Sequence, residues 1–158
     1  MKRKRNAGMR KTKAGRSQSD ALVLFGVTGD LAHKMIFPAL YAMAKRGSLK
    51  VPLIGVASSN WSLAHLRNRV RDSIRRSGGI DNQRALRHLL ALLKYVQGDY
   101  KDPNTFHVLK QALDGARRPA HYLAIPTSVF APVTEGLGDD GLSSHGRGLR
   151  HQPVRRDL

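Results

Sequence analysis

Gly26, Thr28, Gly29 and Asp30 stand where an apolar run gives way to a helical pattern, within LVLFGVTGDLAHKMIFPALY at residues 22–41. Glycine lets a chain turn tightly and lets a ligand approach bare backbone. A helix that starts directly after such a turn offers free N–H groups and a partial positive charge. Those features suit a pyrophosphate group. Gly26, Gly29 and Ala32 follow a G-x-x-G-x-x-A spacing, a variant of the G-x-G-x-x-G dinucleotide pattern. No Gly-Lys-Ser/Thr follows, so the turn is not a Walker A loop. Spacing alone leaves a nucleotide cradle and an ordinary tight turn both open.

A second position bears on cofactor choice. An acid at the end of the second strand would accept the ribose hydroxyls of NAD. The chain has Ala57-Ser58-Ser59-Asn60 there. Such a loop does not repel a 2′-phosphate, so NADP is permitted, and neutral donors are available from Thr28, Ser58, Ser59 and Asn60. A dehydrogenase also needs a base. The histidines are His33, His65, His88, His107, His121, His145 and His151, and none has an acid beside it in sequence. His33 lies near the turn, where it either touches phosphate or faces solvent. No catalytic residue is assigned, and no histidine–acid cluster marks a metal site.

These residues need elements to hold them. Residues 21–26 form an unbroken apolar run of the kind buried on both faces of a parallel sheet. Residues 30–46 read as a helix with Leu31, Met35, Ala39 and Met43 as its stripe, Ile36 and Leu40 beside it, and Gly47 as terminator. Pro38 inside it predicts a bend or a strained first turn. Residues 51–57 read as a second strand. Ser62 caps a helix whose stripe is Leu63, Leu66, Val70 and Ile74. Asp81 caps another, with Leu86, Leu89, Leu90 and Leu93 inward. Residues 94–98 and 120–125 read as strands, and 104–114 and 128–137 as short helices. Strands alternating with helices predict an α/β, Rossmann-like, doubly wound and mostly parallel sheet. It is incomplete at its C-terminal end, because residues 139–158 supply no further strand pattern.

The sequence FGVTGDLAHKMIFPALYAM closely resembles the glucose-6-phosphate dehydrogenase signature. The Y-V-x-G-D-Y stretch at 95–100 and HYLAIPTSVF at 121–130 look like the same family, in the same order. The resemblance covers residues 21–138 and implies the family's N-terminal NADP-binding domain. It implies NADP as cofactor, with NAD possible, and oxidation of glucose 6-phosphate in the full-length family. A cytoplasmic location is implied as well. By position, Gly26, Thr28, Gly29, Asp30 and Leu31 would form the dinucleotide loop, with the Thr28 hydroxyl on the adenosine side. Ala124, Ile125 and Pro126 would line the nicotinamide end. Tyr122, before them, reads as a buried strand aromatic.

Departures from the family pattern carry their own expectations. Met35 stands where the family has a lysine, and reads as a packing residue. Ser58 stands where the family has its 2′-phosphate arginine. In residues 139–158, His151-Gln152-Pro153 stands where the family has glutamate-lysine-proline and Arg156-Asp157-Leu158 resembles the family's arginine-aspartate-leucine, which suggests a frameshifted or decayed tail. The family's substrate-binding and catalytic segments are absent from this sequence, so the chain is expected to bind cofactor at most and to be inactive alone.

Composition frames the rival readings. There are 28 Lys and Arg against 11 acids, a formal charge of +17, and no cysteine. Disulfides, thiolate metal sites and cysteine nucleophiles are thereby excluded. No apolar run approaches the ~20 residues that span a bilayer. Residues 1–20 hold eight Lys and Arg against one acid, Asp20, and read as a disordered basic tail: a solvated segment or overlong gene start first, with non-specific contact to nucleic acid or anionic surfaces as the alternative. A basic nucleic-acid-binding protein and a decayed product are the alternatives to the dehydrogenase reading. An uncovered sheet edge would favour self-association.

Overall fold

The computed structural model describes residues 18–142. The basic segment before residue 18 and the atypical segment after residue 142 lie outside the described residues, as do His145 and His151.

Among the described residues, four strands make one parallel sheet. They are β1 (Ala21–Phe25), β2 (Leu53–Ala57), β3 (Leu93–Gln97) and β4 (Pro119–Leu123), in the order β3-β2-β1-β4. Leu22 aligns with Leu53 on one side and Ala120 on the other. This order matches the first four strands of the Rossmann sheet, with its topological switch point between β1 and β4. The α/β doubly wound expectation therefore holds.

The side chains of β1 and β2 are almost all buried because helices cover both faces. On one face pack α1 (Phe37–Lys45), α2 (Leu63–Arg76) and α3 (Gln83–Leu92), through Leu40, Leu66, Val70, Ile74, Leu86 and Leu89 onto Leu24 and Leu53. On the other pack α4 (Pro103–Leu113) and α5 (Phe130–Asp139), through Phe106, Leu109, Val133 and Leu137 onto Val23, Phe25 and Val56. Each fully buried Leu or Phe stabilises the fold by about 1.5–3 kcal/mol. Among the described residues, no helix is long and apolar enough to cross a membrane.

Caps follow the sequence in most places. The Ser62 Oγ accepts the His65 N–H, as expected. Gly47 ends α1 with φ +72°, and Ser48 N–H reaches back to the Met43 carbonyl, closing the glycine-terminated helix. Two expectations are corrected. Asn82, not Asp81, caps α3 through its side-chain oxygen; the Asp81 carboxylate instead accepts from the Tyr41 hydroxyl at 2.6 Å. Leu93 does not continue α3 but opens β3, with no loop between them.

The segment after the glycines departs further. Residues Ala32–Ile36 form a π-turn that leads into α1. Pro38 lies in the first turn of α1, where its missing N–H is tolerated. The buried stripe is Ala32, Ile36, Phe37, Leu40, Tyr41 and Ala44. The expected stripe was one residue out of phase. Leu31, Met35 and Ala39 are exposed, and Met35, at 64% exposure, does not pack. Both faces of this helix are apolar in sequence, and only the sheet decides which is inward.

Candidate functional site: the first glycine turn and its neighbours

β1 ends at Phe25, and Gly26 turns the chain with φ +81°, a region that side-chain-bearing residues enter at a cost. The second requirement for glycine here is space. A Cβ at this position would lie 2.2 Å from the Ala124 carbonyl oxygen and 2.8 Å from Ile125 Cγ2. The chain after β4 therefore crosses directly against the turn after β1, and the Ala124 N–H donates to the Phe25 carbonyl at 2.9 Å. Gly26, Ala124 and Ile125, expected at opposite ends of a dinucleotide site, meet at the switch point.

Tyr100, packed with Ile125 against the same core as Phe25, braces this junction as well. Its hydroxyl accepts the Gly26 N–H at 2.8 Å and donates to the Val56 carbonyl at 3.1 Å. Burial pushes its phenol upward in pKa, so it stays a neutral donor. Val27 then settles over Gly55 of β2, where a Cβ would come within 2.8 Å of the valine methyls. The Gly29 N–H closes the turn onto the Gly26 carbonyl at 3.0 Å. Gly29 itself is open: a Cβ there would meet only the Gly26 carbonyl, at 3.4 Å. It is bare backbone at a helix start.

The helix begins at Asp30, and the His33 N–H is bonded back to the Gly29 carbonyl at 3.2 Å. The amides of Asp30 and Leu31 precede it and have no acceptor within the helix. Both residues are exposed, and the Asp30 side chain reaches 84% exposure. The Arg69 guanidinium of α2 stands 3.8 Å from the Asp30 carboxylate, and its Nε is buried without a hydrogen-bond partner among the described residues. This cation beside the turn was missed in the sequence. Arg69 is 39 positions from Asp30, and nothing local marks it among the arginines of α2.

The end of β2 folds toward the same turn. The Thr28 and Ser59 hydroxyls are 2.9 Å apart. Ser59, rather than Ser58, is thus the serine brought to Thr28; Ser58 is exposed. Tyr95 fixes this loop by donating to the Ser59 carbonyl. Pro126 is exposed and opens a 3-10 turn at Thr127–Val129. Tyr122, read as a buried aromatic, is 48% exposed. It lies on β4, one of the two edge strands of the described sheet.

The histidines divide in an unexpected way. His33 is neither solvent-facing nor aimed at the turn. It is buried, and its Nε2 lies 2.9 Å from Asp72 Oδ2 on α2. A histidine–acid pair therefore exists, though none is visible in sequence. A second, looser one joins His107 Nδ1 and Asp140 Oδ2 at 3.6 Å. His65 stacks on Trp61 with centroids 4.2 Å apart. His88 donates from Nε2 to the Leu49 carbonyl. His121 donates from Nε2 to the Leu142 carbonyl, and burial lowers its pKa. Among the described residues, no three His, Cys, Asp or Glu side chains gather as a metal site would require.

Known proteins place this arrangement. The family model described as "Glucose-6-phosphate dehydrogenase, NAD binding domain" matches residues 23–155. The chain is 38% identical over 144 residues to a protein named glucose-6-phosphate 1-dehydrogenase 1 from Mycobacterium tuberculosis, covering 91% of this chain and 31% of that protein. A protein named glucose-6-phosphate 1-dehydrogenase 6, cytoplasmic, from Arabidopsis thaliana is 32% identical over 126 residues, covering 72% of this chain and 24% of that one. The crystal structure of glucose-6-phosphate 1-dehydrogenase from Mycobacterium avium superposes with a TM-score of 0.75 at 41% identity, over 79% of this chain and 28% of that one. The chain thus spans about a quarter to a third of the length of these relatives. The glycine turn, the strand order and this match converge: the chain belongs to the family of the glucose-6-phosphate dehydrogenase NAD binding domain.

Proposed function

We propose that this chain binds NADP at the switch point between β1 and β4. It supplies the cofactor-binding part of a glucose-6-phosphate dehydrogenase. The observation that carries the reading is the pair of glycines with opposite geometry. Gly26 is closed in by Ala124 and Ile125, whereas Gly29 leaves backbone bare at a helix start. The residues fit a dinucleotide. The amides of Asp30 and Leu31 would receive the pyrophosphate. Thr28 and Ser59 would take hydroxyls or phosphate on the adenosine ribose. Ala124, Ile125 and Pro126 would line the nicotinamide side.

NADP is favoured over NAD because no carboxylate stands at Ala57-Ser58-Ser59-Asn60, and because Arg69 brings a cation beside the turn. A dinucleotide held there would supply a hydride acceptor. In the reaction its relatives are named for, that hydride comes from glucose 6-phosphate, and a base takes the proton. Within the described residues the chain's own part is to bind and orient. Residues 21–138 are proposed as the unit that does so, and no histidine in it is assigned as the base.

Titration of the chain with NADP and NAD, followed through Trp61 fluorescence, tests the reading. Saturable binding with NADP tighter than NAD is expected. No response to either up to millimolar concentration would refute it.

A further inference from the structure

Pro38 leaves a debt at His33 that a neighbouring helix settles. In the π-turn the Phe37 N–H donates to the Ala32 carbonyl, one residue further back than in an α-helix. The His33 carbonyl thereby loses its α-helical donor. The donor one step further along would be residue 38, which is proline and has no N–H. A buried carbonyl in that position needs a partner from outside its own helix.

α2 provides it. Ser73 is fully buried, and its hydroxyl donates to the His33 carbonyl. The preceding residue, Asp72, meets His33 Nε2 at 2.9 Å and also receives the Arg76 guanidinium at 3.2 Å. Two consecutive residues of α2 thus grip one residue by both its main chain and its side chain. The gripped residue is the one whose N–H closes the first helical bond to the Gly29 carbonyl. Its position fixes the direction of the Asp30 and Leu31 amides.

We infer that Ser73 is a positioning residue for dinucleotide binding: acting through the His33 carbonyl, it aims the helix start at the pyrophosphate. Asp72 assists through the His33 ring. The inference rests on the proposed dinucleotide site. Because the pyrophosphate is common to both cofactors, the effect is the same for NADP and NAD.

The experiment uses the full chain with four proteins: wild type, Ser73→Ala, Asp72→Ala and a distant control, Leu89→Ala in the core of α3. Affinity for NADP and NAD is read by Trp61 fluorescence, stability by thermal unfolding, and local order by amide hydrogen exchange at residues 30–33. Ser73→Ala should weaken both cofactors about fivefold, the worth of one hydrogen bond, and should speed exchange at residues 30–33 ahead of the rest of the chain. Asp72 is partly exposed, so Asp72→Ala folds even if the serine variant does not, and it should weaken both cofactors about threefold. Leu89→Ala should lower the unfolding midpoint and leave affinity of the folded protein unchanged. Wild-type affinity in Ser73→Ala or Asp72→Ala would overturn the inference while leaving the site intact. Equal weakening by Leu89→Ala would overturn it by making the effect one of stability. Failure of the wild type to bind either cofactor would overturn the dinucleotide reading itself, and this inference with it.

Discussion

The two glycines of the turn should fail differently when given a methyl group. At Gly26 an alanine must hold a φ near +81°, which costs about 1–2 kcal/mol. Its Cβ also falls 2.2 Å from the Ala124 carbonyl oxygen. That neighbour is backbone, so the crossing of β1 and β4 must open, for about another 1–3 kcal/mol. The sum, roughly 2–5 kcal/mol, is a large share of a domain's ~5–15 kcal/mol. It corresponds to a fall of roughly 8–20 °C in the unfolding midpoint. At Gly29 the backbone has ordinary φ and the new Cβ meets only the Gly26 carbonyl, at 3.4 Å. Stability should therefore change by less than about 1 kcal/mol, with the lower entropy of the unfolded alanine chain favouring folding. Binding should suffer instead, because the methyl stands where a phosphate must touch backbone. A loss of at least about tenfold in NADP affinity is expected, equivalent to ~1.4 kcal/mol. Circular dichroism melts and Trp61 titrations on the two variants give both numbers. Wild-type NADP affinity in Gly29→Ala would refute the reasoning, since bare backbone there would then have no part in binding. An unchanged midpoint in Gly26→Ala would refute the geometry of the crossing.

Two further outcomes can be checked. Tyr100→Phe removes a hydroxyl that accepts from the Gly26 N–H and donates to the Val56 carbonyl, beside the direct Gly26–Val56 bond; it should destabilise the chain by about 1 kcal/mol, read as a lower urea midpoint with unchanged slope. Stability should also depend on pH in two stages. His121 is held neutral by burial, below its ordinary 6.5, so the unfolded chain takes up this proton first and the melting midpoint should begin to fall below about pH 6.5. Asp72 is held below the ordinary carboxylate value by the His33 hydrogen bond and then Arg76, Asp81 by the Tyr41 hydroxyl and Lys45, and Asp20 by the Arg117 amide. Their contribution is full above the unfolded carboxylate pKa near 3.8 and is lost as pH falls through the depressed folded values. A midpoint that stays level or rises below pH 4 would contradict these contacts.

The order of elements was legible because β1 and β2 are short apolar runs bounded by turn residues, and most helices on the sheet carry a periodic stripe. The glycine turn was legible for the same local reason: Gly26 and Gly29 announce special backbone in one dimension. What sequence reading missed depends on the third. The His33–Asp72 pair and the Arg69–Asp30 contact each join residues 39 apart. They follow from the way α2 lies along the first helix, which no spacing within either helix encodes. The stripe of that helix was misread because Leu31, Met35 and Ala39 are as apolar as the residues truly buried. The π-turn then shifts the phase by inserting an extra residue. Tyr95 and Tyr100 stood in plain view in KYVQGDY, yet the roles of their hydroxyls appear only when β2 and the glycine turn come within reach. Asn82 displaced Asp81 as a cap because Tyr41, 40 residues earlier, claims the aspartate.

The switch point also imposes a schedule. β1 is the first of the four described strands to be made and sits inside the sheet, but β4, its partner on one side, is nearly a hundred residues away. The Asp20 carboxylate that ties their bases takes the amides of Arg117 and Arg118, 97 and 98 positions along the chain. At a synthesis rate of about 5–20 residues per second, β1 waits roughly 5–20 s with one hydrogen-bonding flank unpaired. Pairings across such separations are also slow to form once the chain is complete. During that interval β1 and β2 can zip together under α1 and α2, while Phe25 and Val23 still lack the cover of α4 and α5. The turn that is read as a phosphate cradle is therefore finished last: Gly26 acquires its wall of Ala124 and Ile125 only when the fourth strand docks. A nascent chain would acquire cofactor affinity in one late step, and a chaperone that shields apolar strands would have its longest opportunity just before it.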